Sequence, residues 1–266
     1  MRILMASKRE PGRPGRRDGG VQTWVATVAA ELRRQDHDVD IVGAGWSPQG
    51  RYDFGVFANA IHTAGMADCC DQAVLVCHGI VPDESPEDWP HDVAYTSEEV
   101  RSHWRGAGAI IRQPLDLDYW SPGDAPATGI VRYANRGGLE WIPQVAASMG
   151  LPFTHIRGAT HEQAREALRG AACVLASGRC AVEAMACGVP VVICDDRHYQ
   201  GPLLHAGIMR EAMERNYSGR GGVAPAPDNV RAAIDHAMLV GSFRWHAEAY
   251  HDAKRITQEL LRLCPQ

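Results

Sequence analysis

The chain has 266 residues, a formal net charge of −5, 45% apolar residues and 22% charged residues. That is enough apolar material for one large or two modest cores, and it excludes a disordered chain. The slightly acidic balance supplies no overall basic field for nucleic acid or anionic membrane, and no apolar run approaches the roughly 20 residues of a membrane span.

Ile3–Ala6 is apolar but ends at Lys8 and Arg9, too short for a secretory signal, so a cytoplasmic protein is expected. Arg2–Ser7 reads as a buried strand, and Lys8–Gly20 as a loop rich in Gly, Pro and basic residues. Apolar residues at 21, 24, 25, 28, 29 and 32 predict a helix over Val21–Gln35. Strands follow at Asp38–Ala44, Asp53–Ala58, Ala73–Cys77 and Val93–Thr96, and Ser97 reads as the N-cap of a helix with Glu98 and Glu99 in its first turn. Gln113–Pro126 is a proline-dense break. The pattern then restarts, with strands at Ile130–Tyr133, Phe153–Arg157, Cys173–Ala176 and Pro190–Cys194. Helices are expected at Leu139–Met149, Glu162–Arg169, Ala181–Cys187 and, at the end, about Ser242–Leu263, with His246 and His251 solvated. Alternation of strand and helix predicts parallel, doubly wound α/β sheets.

Cys173, Cys180, Cys187 and Cys194 recur every seven residues. Gly178, Gly188 and Pro190 interrupt any helix that could line them up, and paired CxxC zinc ligands are missing, so free buried thiols are the expectation. Asp116-Leu117-Asp118 sits in the proline-dense break and reads as surface. Asp195-Asp196-Arg197-His198 follows a strand and reads as a polar loop rather than a metal site.

Val182–Asp195, VEAMACGVPVVICD, resembles the donor-site segment of the retaining nucleotide-sugar glycosyltransferases of GT-B fold. RILMAS with GGVQTWVATVAAELRRQDHDVDIVG resembles that family's first strand, glycine loop and helix, and VLVCHG its strand ending in His-Gly. QPLDLDYWSP resembles the interdomain linker, ANRGGLEWIPQVAA the opening of the second domain, and NYSGRGG a loop of some bacterial members. The resemblance implies two Rossmann-like domains facing across a cleft: an acceptor domain over 1–122, a donor domain over 123–241, and a C-terminal helix over 242–266 returning to the first. It implies transfer of a sugar from a nucleoside diphosphate to a hydroxyl acceptor, with retention and without a metal or other cofactor. The acceptor is open: a small molecule, a lipid or a modified DNA base.

Carried over residue by residue, the resemblance makes Glu183 the ribose ligand, with Ser177, Gly178, Arg179 and Cys180 forming the turn before it. Arg132 and Arg136 become the cations that offset the leaving diphosphate, His78 faces the donor sugar, and Gly19 and Gly20 admit a ligand close to the first helix. The residues themselves agree: a carboxylate near a helix start can accept two ribose hydroxyls, and amides at that helix N-terminus can bind phosphate. Plainer alternatives stay open, namely a helix-favouring Glu183, solvated arginines, a simple glycine turn and a satisfied core histidine. The family's usual glutamate eight positions before Glu183 is replaced by Leu175, so sugar contacts must come from elsewhere. That departure keeps two rivals, a non-catalytic nucleotide- or partner-binding module and a nucleotide-sugar epimerase.

Overall fold

The computed structural model describes all residues except 13–17, 47–49, 125, 135–136, 197, 204 and 265–266. The chain divides into two units, Met1–Pro114 with His251–Gln266, and Leu115–Tyr250. The breaks expected near residues 122 and 241 are thus found at Pro114/Leu115 and Tyr250/His251.

Unit 1 contains β1 (Arg2–Ser7), α1 (Gly20–Arg34), β2 (Asp38–Gly43), β3 (Tyr52–Phe57), α2 (Ala60–Thr63), β4 (Cys70–Cys77), β5 (Asp92–Tyr95) and α3 (Glu98–His103). The five strands are parallel in the order β2-β1-β3-β4-β5. Both faces are covered, which is why β1 and β4 read as continuous apolar runs. Ile3, Met5, Val56 and Val74 point to the face holding Trp24, Val28 and Leu32 of α1, while Leu4, Ala6, Leu75 and Cys77 point to the face holding Met66 and Trp89. Ser97 caps α3 as expected, its Oγ accepting the Val100 N–H at 3.3 Å.

Unit 2 contains β6 (Ile130–Tyr133), α4 (Ile142–Ser148), β7 (Phe153–Ile156), α5 (His161–Arg169), β8 (Cys173–Ala176), α6 (Arg179–Ala186) and β9 (Val191–Cys194). Then come β10 (Tyr199–Pro202), α7 (Ala206–Glu214), α8 (Pro227–Val240) and α9 (Arg244–His251). Its sheet runs β7-β6-β8-β9-β10, with only β10 antiparallel. Counted within each unit, both sheets have the order 2-1-3-4-5. α6 is flattened onto the sheet by small residues: Ala181, Ala184 and Ala186 are fully buried. It ends in a Schellman motif, with the Gly188 N–H donating to Met185 O and the Val189 N–H to Ala184 O. Gly188 takes φ +77°, and a Cβ there would meet Pro122 at 3.1 Å, so glycine is required.

The expected long C-terminal helix is two helices. α9 stops at His251, and Asp252 caps α10 (Ala253–Leu261) through the Lys254 N–H. Within unit 1, α10 packs Ile256 and Leu260 into the α1 face of the sheet, and Gln35 donates to Thr257 Oγ1 at 2.9 Å. His246 and His251 are buried, not solvated: His246 Nε2 lies 2.7 Å from the Tyr217 hydroxyl, and His251 Nδ1 lies 2.8 Å from Gln113 O. A polar ring on an apolar helix face is stable there because each has a hydrogen-bond partner.

The four evenly spaced cysteines lie in β8, in α6, at the α6 C-cap and in β9, and all eight thiols are free. Burial pushes Cys173, Cys187 and Cys194 up to about 12, so they stay protonated. Among the described residues no group of three or more His, Cys, Asp or Glu could hold a metal ion, and no helix is long and apolar enough to cross a membrane.

Candidate functional site

In a 2-1-3-4-5 sheet the winding reverses between the first and third strands, and ligands bind at the carboxyl ends of the strands there. In unit 2 that point lies between β6 and β8. The turn out of β8 is Ser177-Gly178. Gly178 adopts φ +58° with ψ −137°, and its N–H donates to Tyr217 O at 2.7 Å. Asn216 and Tyr217 both have left-handed backbones, and the buried Tyr217–His246 hydrogen bond anchors them. A Cβ on Gly178 would meet nothing within 4 Å. Gly178→Ala is therefore expected to cost about 1–3 kcal/mol from backbone strain alone, measured by urea denaturation; an unchanged midpoint would show that the turn relaxes freely.

Glu183 sits in the second turn of α6, not the first, because the helix starts two residues earlier than its apolar pattern suggests. Its carboxylate is 2% exposed. Oε1 accepts from Arg179 Nε at 2.8 Å, one turn back, and the Tyr133 hydroxyl at the end of β6 lies close to the carboxylate. Burial, then the Glu183 charge, raises the Tyr133 hydroxyl far above its ordinary value; the same two causes raise Cys180, whose thiol bonds Tyr133. Glu183, Arg179, Tyr133 and Cys180 thus lie together at the switch point.

Arg132, also in β6, is 4% exposed. Its guanidinium donates to Gly137 O at 2.9 Å and to Gly138 O, and burial lowers its pKa. These bonds tie down the far end of the loop that follows β6. Arg136, expected beside it as a second cation, lies outside the described residues.

The next strand end carries residues that the sequence did not single out as ligands. The β9–β10 pairing shifts register between Tyr199 and Gly201, so Gln200 is a bulge, a device that re-aims a side chain. Both its amide oxygen and its amide nitrogen are buried without a hydrogen-bond partner, as is Asp196 Oδ1. Asp196 approaches the Arg132-held loop, its Cβ lying 3.1 Å from where a Cβ on Gly138 would stand. Unpaired buried polar atoms cost about 1–3 kcal/mol each, so a group of them at a strand end is a candidate contact for a polar ligand. A polar run directly after the apolar stretch Val191–Cys194 was the available signal.

Unit 1 has its own polar cluster at the carboxyl ends of β1, β3 and β4. The Lys8 N–H donates to Asn59 Oδ1 at 3.2 Å, Asn59 Nδ2 to Glu84 Oε1 at 2.6 Å, and the His78 N–H to Glu84 Oε2 at 3.0 Å. The His78 ring stands edge-on to Trp24 with centroids 5.0 Å apart, and neither ring nitrogen has a partner. Burial pushes His78 down to about 3 and Glu84 up to about 7. His78 is therefore a neutral imidazole at ordinary pH, with one donor and one acceptor nitrogen. Gly19 caps α1 and Gly20 opens it, and neither has a positive φ. A Cβ on Gly20 would meet nothing within 4 Å, so the exposed side of the α1 N-terminus is open.

No protein-family model matches the chain, and no curated protein matches its sequence. Solved structures do match across its length. AviGT4, a glycosyltransferase involved in avilamycin A biosynthesis, shares 15% identity over 98% of this chain and 96% of its own, with a TM-score of 0.56. The glycosyltransferase of kitacinnamycin shares 12% over 99% of both chains at 0.55. The DNA-modifying β-glucosyltransferase, solved in the presence and absence of uridine diphosphoglucose, shares 10% over 99% of both at 0.51. With two mainly parallel sheets of one strand order, the chain is an α/β protein with the GT-B fold of these glycosyltransferases.

Proposed function

We propose that the protein is a glycosyltransferase moving a sugar from a nucleoside diphosphate to a hydroxyl acceptor, with the donor held by unit 2 and the acceptor by unit 1. The observation that carries this reading is the cluster at the carboxyl edge of the second sheet: a buried carboxylate–guanidinium pair on α6, an open glycine turn before it, and unpaired polar atoms on the neighbouring bulge. The fold neighbours support it, one of them having been solved with uridine diphosphoglucose.

In this reading Ser177, Gly178 and the amides opening α6, including that of Cys180, receive the diphosphate. Ribose hydroxyls replace Arg179 on Glu183, and the released guanidinium turns to phosphate, where its fork binds bidentately. Arg132 acts by holding the loop that carries Arg136, and Arg136 offsets charge on the leaving diphosphate. Asp196 and Gln200 take the sugar hydroxyls that the family's missing glutamate would hold. In unit 1, Gly20 and Gly19 allow close approach to α1, and the neutral His78 hydrogen-bonds a sugar or acceptor hydroxyl. The C1–O bond to the diphosphate breaks with its electron pair leaving on phosphate. The acceptor oxygen bonds C1, and its proton departs with the diphosphate. We expect retention at C1 by same-face attack, no metal requirement and a cytoplasmic setting.

The test is calorimetric titration with a panel of nucleoside diphosphate sugars, followed by turnover. Glu183→Gln and Gln200→Ala should each weaken donor binding by about tenfold or more, the equivalent of one lost charged or buried hydrogen bond. Wild-type affinity in both variants would reject the donor site. Binding without turnover would favour a non-catalytic module, and donor conversion without acceptor an epimerase. Product anomeric configuration and chelator sensitivity check retention and metal independence.

A further inference from the structure

Unit 1 holds a cavity of about 550 Å³ at the same carboxyl edge of its sheet. Its walls are Ala60, Ile61 and Ala64 after β3, Pro82 and Trp89 after β4, and Trp104 after α3. That volume suits a small organic ligand rather than a water cluster or a chain. Both indole N–H groups are already committed, Trp89 Nε1 to Asp92 O at 3.1 Å and Trp104 Nε1 to Gly79 O at 2.9 Å. The two tryptophans therefore offer the cavity carbon surface only. Ile61 adds apolar surface, standing 65% exposed at the rim.

The charged lining is of one sign. Glu87 and Asp88 border the cavity, and no Lys, Arg or His lines it among the described residues. The nearby Lys8 ammonium is held by Asp83 at 2.7 Å. A phosphate or carboxylate ligand would meet two like charges with no compensating cation in the described lining, whereas a neutral or cationic aromatic ring meets apolar walls, indole carbon and complementary charge. The cavity is also tied to the candidate chemistry. Trp104 bonds the carbonyl next to His78, and the Asn59–Glu84 hydrogen bond links the two segments that carry most of the lining.

We propose that this cavity is the acceptor site and that the acceptor is a small, uncharged or cationic aromatic alcohol or phenol, not an anionic lipid headgroup or a nucleic acid. The inference rests on the glycosyltransferase reading for the word acceptor, but binding to the cavity is measurable without donor or turnover. Calorimetric titration of the whole protein with 2-naphthol, tyramine, 4-hydroxybenzoate and a hydroxymethylcytosine-containing oligonucleotide is the direct experiment. Naphthol and tyramine should bind, and 4-hydroxybenzoate should bind about tenfold or more weaker than tyramine. Ala64→Trp, built outward from an exposed position into the cavity, should abolish binding while leaving the melting temperature unchanged. The pair Glu87→Lys with Asp88→Lys should reverse the preference between tyramine and 4-hydroxybenzoate.

Preference for the carboxylate or the oligonucleotide in the wild type, or full binding in Ala64→Trp, would overturn the proposal. Sugar transfer to an anionic acceptor with no phenol binding would sink this inference and leave the proposed function standing. Phenol binding without any donor binding would do the reverse.

Discussion

Glu183→Ala is expected to destabilise unit 2 by about 3–5 kcal/mol, the usual result of removing one partner of a buried ion pair. The pair is well out of solvent, with the Arg179 side chain 10% exposed and the Glu183 side chain 2%. The substitution strips Arg179 of a 2.8 Å hydrogen bond. Loss of stability alone would say nothing about ligand binding, so the informative variant replaces both partners. Glu183→Leu combined with Arg179→Met removes both charges together and should recover most of the lost stability, because apolar groups of similar volume often match a buried ion pair. Under the proposed function it should still fail to bind any nucleoside diphosphate sugar. Recovery of stability together with wild-type donor affinity would make the pair purely structural. Urea denaturation and calorimetry on the same preparations give both readouts.

His78 and Glu84 should tilt the stability of the protein in opposite directions with pH. Glu84 rises from an ordinary 4.5 to about 7 in the folded chain, because burial outweighs the bond from the His78 N–H. Between those values the folded state holds the extra proton, so stability falls as pH rises. His78 drops from 6.5 to about 3, again through burial. There the unfolded state holds the extra proton, so stability falls as pH drops below 6.5. Each slope is at most about 1.4 kcal/mol per pH unit, and in the shared window from about pH 4.5 to 6.5 they oppose each other. Relative to wild type, Glu84→Gln should therefore gain stability as pH rises through that window, and His78→Gln should lose it. The glutamine at position 84 removes one acceptor oxygen, which offsets its whole curve without tilting it. Unfolding free energies at four pH values decide the matter; variant curves parallel to wild type would mean that neither group titrates out of its ordinary range.

Much of the fold is legible in the chain because parallel strands covered on both faces must be apolar throughout. β1, β6, β8 and β9 all lie within a residue of where their apolar runs place them. α8, absent from the helices expected, carries signals that could have placed it, with Pro227 in its first turn and buried residues at 230, 233, 234 and 237. β10 does not. Tyr199–Pro202 contains a glycine and a proline, and such a segment forms a strand only because it lies at the sheet edge beside β9. The split between α9 and α10 was equally hidden. The helical pattern runs through residue 252, and the break at Asp252 goes with a change of unit, since His251 is already bonded to Gln113.

By itself the sequence determined the repeated strand–helix order, the free cysteines and the turn that presents α6, because each depends on residues close together in the chain. It also drew attention to Glu183, Arg132 and His78. The folded structure decided what those side chains do at rest: Glu183 is held by Arg179, Arg132 holds two loop carbonyls, and His78 stands without a hydrogen-bond partner beside Trp24. It likewise left the Gln200 amide and Asp196 Oδ1 without hydrogen-bond partners, and closed segments after β3, β4 and α3 around one apolar cavity. The Arg179–Glu183 and Arg132–loop bonds join residues four to six apart, but the cavity walls come from segments far apart in sequence, and the parallel sheet sets the carboxyl ends of its strands along one edge.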